Sequence, residues 1–191
     1  MDDELIERIK AITNNGELYY DYNDDIDLAR KTSFEICRDY NNGILHRNKY
    51  DLKKLKKLFA YLGENVRIEA NFLTEFGFNL SIGNNVTILQ DVSFIDCARL
   101  IIEDNVIIGP HCGIYTSNHA QEPELRKQHY CYEQPIKIRE NVCLGGGVLL
   151  CPGVTIGKNT MVLPGSVVVN DLPANVVAAG NPCQKIRALA D

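Results

Sequence analysis

From residue 138 to residue 162 an aliphatic side chain returns at every sixth position: Ile138, Leu144, Leu150, Ile156, Val162. Four residues after each stands a small or β-branched partner: Val142, Val148, Val154, Thr160, Ser166. Gly, Asn, Asp and Pro gather between them, as tight corners require. Earlier copies open at Leu62, Ile82, Ile88, Ile102 and Ile108. A helix repeats every 3.6 residues and a strand every two, so neither yields a period of six. A β-sandwich places its turns about 8–12 residues apart. A coil of very short strands joined by tight corners does give this period. One such coil cannot bury its own apolar side chains, so coils must stack to make a core.

Upstream of Gly63 the pattern is helical. Leu5, Ile9 and Ile12 share one face, and Asn14-Asn15-Gly16 stops that helix. Residues 16–25 read as an extended aromatic segment. Asp25 or Asp27 opens a second helix carrying Leu28, Phe34, Ile36 and Cys37, ended by Asn41-Asn42-Gly43. Asp51 caps a third helix with Leu52, Leu55, Leu58, Phe59 and Leu62 inward. Its outer lysines, Lys53, Lys54, Lys56 and Lys57, fit a solvated face better than a nucleic-acid patch. The chain thus divides into a helical cap, residues 1–61, and a coil domain, residues 62–191. Two stretches break the coil. Residues 115–135 are polar and lack the aliphatic beat, which marks a long loop excursion, a feature usually functional. Residues 170–182 are irregular and lid-like, and a short helix over 183–190 follows.

Composition narrows the function. Lys plus Arg number 20 against 25 Asp plus Glu, a net charge of −5 that lacks the basic footprint of a nucleic-acid binder. No apolar run approaches the ~18 residues of a membrane span. The acidic start, Met1-Asp2-Asp3-Glu4, is unlike a secretory signal. Seven cysteines, an odd number with no C-x-x-C pair, argue against a disulfide framework or zinc knuckle and for a reducing cytoplasm. No metal site is expected.

The hexads resemble the hexapeptide-repeat acyltransferases, and within them the maltose and galactoside O-acetyltransferases. The resemblance spans nearly the whole chain. It is carried by Gly16-Glu17-Leu18-Tyr19-Tyr20-Asp21, Phe76-Gly77-Phe78-Asn79, Ile114-Tyr115-Thr116-Ser117-Asn118-His119, Asn141-Val142-Cys143-Leu144-Gly145-Gly146, Pro152-Gly153-Val154-Thr155-Ile156-Gly157 and Val177-Ala178-Ala179-Gly180-Asn181-Pro182. It implies a mainly β fold, a left-handed parallel β-helix with an N-terminal helical cap. It implies acetyl-CoA as co-substrate, a small-molecule acceptor of the sugar class, and a homotrimer with sites between subunits. His119 matches the family's catalytic base. Asp21, Glu75 and Asp96 match or adjoin its acceptor-binding positions. Gly146, Pro164, Val169, Asn170, Gln184 and Arg187 fall at its coenzyme-lining positions, with Lys185 a further basic group.

The chemistry is consistent with those assignments. Moving an acetyl group from a thioester to a hydroxyl needs a base for the alcohol proton, which an imidazole supplies near neutral pH. It also needs oxyanion donors and a groove for the pantetheine arm. Taken without the resemblance, Asp21 reads equally as a turn residue and Glu75 as an exposed corner. The chain departs from the family at three places: Leu89 stands where an asparagine is common, Cys97 where an acidic residue is, and Cys143 where a tryptophan is. Those departures leave a non-catalytic β-helix scaffold, or an acetyltransferase for an amine, serine or antibiotic, as alternatives. The four histidines, His46, His111, His119 and His129, lack the ligand spacing of the zinc-dependent carbonic anhydrases built on the same coil.

Overall fold

In the computed structural model, which describes residues 1–189, the hexads wind into a three-faced prism of short parallel strands, two or three residues long except for the last strand of the third face. One face stacks strands Leu73–Thr74, Ser93–Ile95, Gly113–Tyr115, Leu149–Leu150 and Val167–Val168. The second stacks Tyr61–Leu62, Leu80–Ile82, Leu100–Ile102, Ile136–Ile138 and Thr155–Ile156. The third runs from Arg67–Ile68 through Thr87–Ile88, Ile107–Ile108, Cys143–Leu144 and Met161–Val162 to Val176–Gly180. The beat residues point inward: Ile82, Ile88, Ile108, Ile114, Ile138, Leu150 and Ile156 are all fully buried in one continuous core.

The period of six is strict only after the excursion. There, Lys137 lies beside Thr155 and Cys143 beside Met161, three hexads apart. In the earlier coils Tyr61 lies beside Ser81 and Ser81 beside Ile101, so each turn holds two residues more. The surplus sits at one edge of the prism, where the chain passes from the first face to the second. Residues 75–79 and 95–99 bulge there, and the excursion leaves from the same edge one coil later. The remaining edges stay tight. One carries Asn65, Asn85, Asn105, Asn141, Asn159 and Asn175, all left-handed with φ between 55° and 60°. Their amides form ladders: Asn65 Nδ2 donates to Asn85 Oδ1 at 3.2 Å and Asn85 Nδ2 to Asn105 Oδ1 at 3.1 Å. The other carries Asn71, Asp91 and His111, with φ of 62°, 60° and 58°, then Gly147 and Gly165. Asn tolerates this conformation because its short polar side chain bonds locally.

Three helices precede the coil. α1 (Asp3–Thr13) is capped by Asp2, whose carboxylate accepts from Leu5 N–H at 2.8 Å. α2 (Asp24–Arg47) begins at Asn23, whose side chain caps Asp25 and Ile26, rather than at either aspartate. It also runs through Asn41-Asn42-Gly43. Asn41 is engaged with the coil, donating to Phe72 O and accepting from Phe72 N–H, so its side chain satisfies a coil peptide instead of stopping the helix. The inward row is Ile26, Ala29, Ser33, Cys37 and Tyr40, leaving Leu28 and Phe34 exposed. α3 (Leu52–Lys56) is a single short turn around Leu55. No helix among the described residues is long and apolar enough to cross a membrane.

The C-terminal expectation is corrected. Val176–Gly180 continues the third face as a strand, and Cys183–Ala188 folds back as an antiparallel strand, not a helix. The open edge of Val176–Gly180 offers unpaired peptide groups, and the return strand satisfies them. Ala190 lies outside the described residues.

If the Asn ladder holds the corners, Asn85→Ala should cost about 1–2 kcal/mol by forcing an alanine into the left-handed region. Asn85→Gly, which accepts that φ freely, should cost less. Urea unfolding of the two variants beside the wild type measures the order.

Candidate active site

The excursion is folded, not loose. Strand Ser117–His119 pairs antiparallel with Tyr130–Glu133, and short helix α4 (Pro123–Lys127) joins them. Tyr19–Tyr20 from the N-terminal segment adds the third strand. Register places His119 opposite Cys131 and Cys131 opposite Tyr19, with Ser117 opposite Glu133. Directly paired residues share a sheet face, so these five side chains lie together. Tyr19 and Cys131 pack in a second apolar cluster with Ile26, Ala29, Phe76, Phe78 and Cys97. The His119 ring is exposed at the rim, with Nδ1 3.3 Å from Cys131 Sγ. His129, at the hairpin end with φ 63°, accepts the Asp21 N–H on its carbonyl at 3.0 Å and sets its ring 4.2 Å from that of Tyr22. Those contacts tie the hairpin to the N-terminal segment and give His129 a structural place, as the corner does for His111.

Asp21 and Glu75 come together through Arg30 of α2. Its Nη2 donates to Asp21 Oδ1 at 2.6 Å and its Nε to Glu75 Oε1 at 2.5 Å. Burial pulls against the guanidinium, but the hydrogen bonds and charges of Asp21 and Glu75 outweigh it and raise its pKa. Both carboxylates keep free oxygen lone pairs for a hydroxyl-bearing ligand. Asp96 has a different place from the one expected. It is fully buried, accepting from Thr74 Oγ1 and from the N–H groups of Phe76 and Gly77 at 2.6–2.9 Å. Burial pushes its pKa up, against those three bonds. Asp96 therefore holds the 75–79 bulge and presents no surface to an acceptor. Gly77 within that bulge has φ 79°, and a Cβ there would lie 2.4 Å from Leu58.

Glu133 is 7% exposed. It accepts from the Tyr19 hydroxyl, and its Oε2 has no hydrogen-bond partner among the described residues. Burial pushes the carboxyl up to about 8, with Tyr19 and Ser117 lowering it and the charges of Asp21 and Glu75 raising it. Glu133 also lines a cavity of about 530 Å³ with Asn14, Phe78, Asn79, Ser81 and Arg99.

The expected coenzyme positions flank the first face of the prism. Gly146 lies at its tight edge, where its carbonyl accepts from Gly165 N–H at 2.9 Å. Its own N–H has no backbone partner among the described residues, which leaves a donor free for a ligand. The steric need for glycine falls on its neighbour: a Cβ at Gly145 would sit 2.6 Å from Pro164 N, whereas one at Gly146 meets only ordinary contacts with Pro110. At the opposite edge Val169 and Asn170 line a groove of about 640 Å³ with Gln134, Pro135, Pro152 and Asp171. Gln184, Lys185 and Arg187 are exposed on the return strand. These residues fit a long, phosphorylated co-substrate laid along the outside of the coil, with a free backbone donor, an open groove and cations.

The galactoside O-acetyltransferase of Escherichia coli is 34% identical over 98% of this chain and 90% of that protein. The crystal structure of a maltose O-acetyltransferase from Clostridium difficile superposes with a TM-score of 0.89 at 34% identity, covering 95% of this chain and 96% of that one. A galactoside acetyltransferase solved with coenzyme A superposes at 0.86, also 34% identical, covering 98% and 92%. The chain belongs to the hexapeptide-repeat O-acetyltransferases of the galactoside and maltose group. No family model matches it.

Three residues beside the candidate site escape the sequence reading: Arg30, Cys131 and Glu133. Arg30 did carry a signal. It stands beside the buried row Ile26, Ala29, Ser33, and a cation at the margin of an apolar helix face asks for carboxylate partners. Cys131 and Glu133 alternate with Tyr130 and Tyr132 in a four-residue strand too short to show its period.

Glu133 makes stability depend on pH. Its folded pKa lies above the ordinary 4.5, so the folded state holds a proton the unfolded state releases, and stability falls as pH rises from about 4.5 to about 8. At about 1.4 kcal/mol per pH unit, the loss is bounded near 5 kcal/mol. Glu133→Gln, which cannot ionise, should gain on the wild type in Tm between pH 5 and pH 9. A Tm difference that stays constant across that range contradicts the assignment.

Proposed function

We propose that this acetyltransferase moves the acetyl group of acetyl-CoA to a hydroxyl of a sugar or similar polyhydroxylated small molecule, by direct attack with both substrates bound. The observation that carries the reading is the meeting, at one edge of the coil, of an exposed imidazole and a carboxylate pair. His119 sits on a three-stranded sheet whose N-terminal strand leads directly into Asp21, and Arg30 joins Asp21 to Glu75. In this reading His119 takes the acceptor's hydroxyl proton as the oxygen attacks the thioester carbonyl, and returns it to the departing thiolate. Asp21 and Glu75 accept hydrogen bonds from other hydroxyls of the acceptor and fix its orientation. The Gly146 N–H and the groove at Val169 and Asn170 receive the coenzyme arm, and Arg187 with Lys185 meets its phosphates. Cytoplasmic residence fits seven cysteines that are all free thiols.

The active assembly in this proposal is a trimer with each site between neighbours. On the third face Ile107, Cys143 and Met161 stand in register, and Ile107 and Met161 are 46% and 42% exposed. That apolar ladder suits burial against a second copy of the chain. It carries one of the departures, Cys143, and Leu89 lies at the corner that follows the adjacent strand Thr87–Ile88.

His119→Ala should lose ~10²–10⁴-fold in turnover while keeping acetyl-CoA affinity and sedimenting, like the wild type, as three copies. His129→Ala, whose ring contacts Tyr22 and not the acceptor, should lose far less. Acetyl transfer and sedimentation equilibrium on both variants check this. Near-normal turnover in His119→Ala refutes the base, and a monomer of the active wild type refutes the assembly.

A further inference from the structure

An imidazole on an exposed rim acts as a base only if one nitrogen is kept unprotonated and aimed, and among the described residues no carboxylate is hydrogen-bonded to the His119 ring. We infer that Cys131 is the positioning residue of His119: its sulfur receives the Nδ1–H, and the Nε2 lone pair is thereby left for the acceptor proton. The inference rests on His119 serving as the general base.

The geometry starts from register. His119 and Cys131 face each other directly across the hairpin, and Cys131 Sγ lies 3.3 Å from His119 Nδ1. A neutral imidazole has one N–H and one lone pair, and the partner of one nitrogen decides the state of the other. Two arrangements are open to the pair. If the thiol donates to Nδ1, Nε2 carries the proton and the ring has no base to offer on its free side. If Nδ1–H donates to sulfur, Nε2 is basic. Only the second serves proton abstraction.

Cys131 is built to remain a neutral acceptor. It is 3% exposed in the cluster with Tyr19 and Cys97. Burial, with the charges of Asp21, Glu133 and Glu75 against that of Arg30, pushes its thiol up to about 12. It therefore does not become a nucleophile or a thiolate at working pH. A neutral sulfur aligns the ring without the electrostatic hold on an imidazolium that a carboxylate would exert. That suits a group that must give its proton on to the leaving thiolate in the same turnover.

Packing alone and positioning predict opposite rankings of two small variants. Were Cys131 only core, Cys131→Ala would be tolerated better than Cys131→Ser, which buries an extra hydroxyl. As a positioning group the order reverses. The serine oxygen accepts Nδ1–H and should rescue most of the turnover, while the alanine should lose on the order of 10–100-fold in kcat through a misaligned ring. KM for acetyl-CoA should be unchanged in both. Imidazole nitrogen-15 spectra of the full chain, with His119→Ala used to assign the His119 signals, give a readout independent of turnover. The wild type and Cys131→Ser should show the Nδ1–H tautomer, and Cys131→Ala should lose that preference. A wild-type ring protonated on Nε2, or a serine variant no more active than the alanine variant, overturns the inference. If the wild type shows the Nδ1–H tautomer yet transfers acetyl to no acceptor, the acetyl-transfer reading fails while the Cys131–His119 pair stands.

Discussion

Every strand in the coil is too short to bury anything by itself, so each must be hydrogen-bonded in register to the coils above and below. That requirement governs the whole molecule. A peptide added within a face would flip the inward side chains outward, so surplus residues are confined to corners. Corners of successive coils stack about 4.8 Å apart, so insertions made at the same corner lie on top of one another. The 75–79 bulge, the 95–99 bulge and the 115–135 excursion are three such insertions. The candidate active site is what they build.

The second constraint is electrostatic. A corner that opens the coil exposes peptide groups which then need partners. Asp96 supplies them for Phe76 and Gly77, and Asn79 donates to the carbonyls of Asp96 and Cys97. A buried carboxylate with three hydrogen bonds is tolerable where an unpaired one is not. Outside that floor, Arg30 bridges Asp21 and Glu75, so the two carboxylates share one guanidinium. In the proposed arrangement the acceptor side is polar and pre-shaped by α2, while the coenzyme side is mostly backbone, open groove and surface cations. Such a division matches a reaction in which the acceptor must be oriented to within tenths of an ångström but the long arm need only be held.

The coil was legible because its aliphatic beat is a one-dimensional pattern. His119, Asp21, Glu75 and Gly146 could be nominated through the family resemblance, and the structure sets Asp21 and Glu75 about one guanidinium. What the sequence conceals is tertiary. The two-residue surplus in the early coils looks like noise around Thr74 and Phe94, since nothing local says that both bulges share an edge. Asp96 reads as a free carboxylate until the N–H groups of Phe76 and Gly77 are found on it. Asn41-Asn42-Gly43 has the composition of a helix stop, and it is overridden by bonds to Phe72, thirty-one residues away. The return strand after Gly180 alternates poorly, because Gln184 to Ala188 are all exposed and no buried face prints a period on it.

The central claim is that this edge of the coil hands an acetyl group to a sugar hydroxyl. Release of free coenzyme thiol from acetyl-CoA, followed across a panel of mono- and disaccharides with the intact protein, tests it most directly. The account predicts thiol release that depends on added sugar, saturates with it, and yields one acetylated sugar for each thiol formed. Acetyl-CoA binding with no sugar in the panel raising thiol release above the hydrolytic background would contradict it.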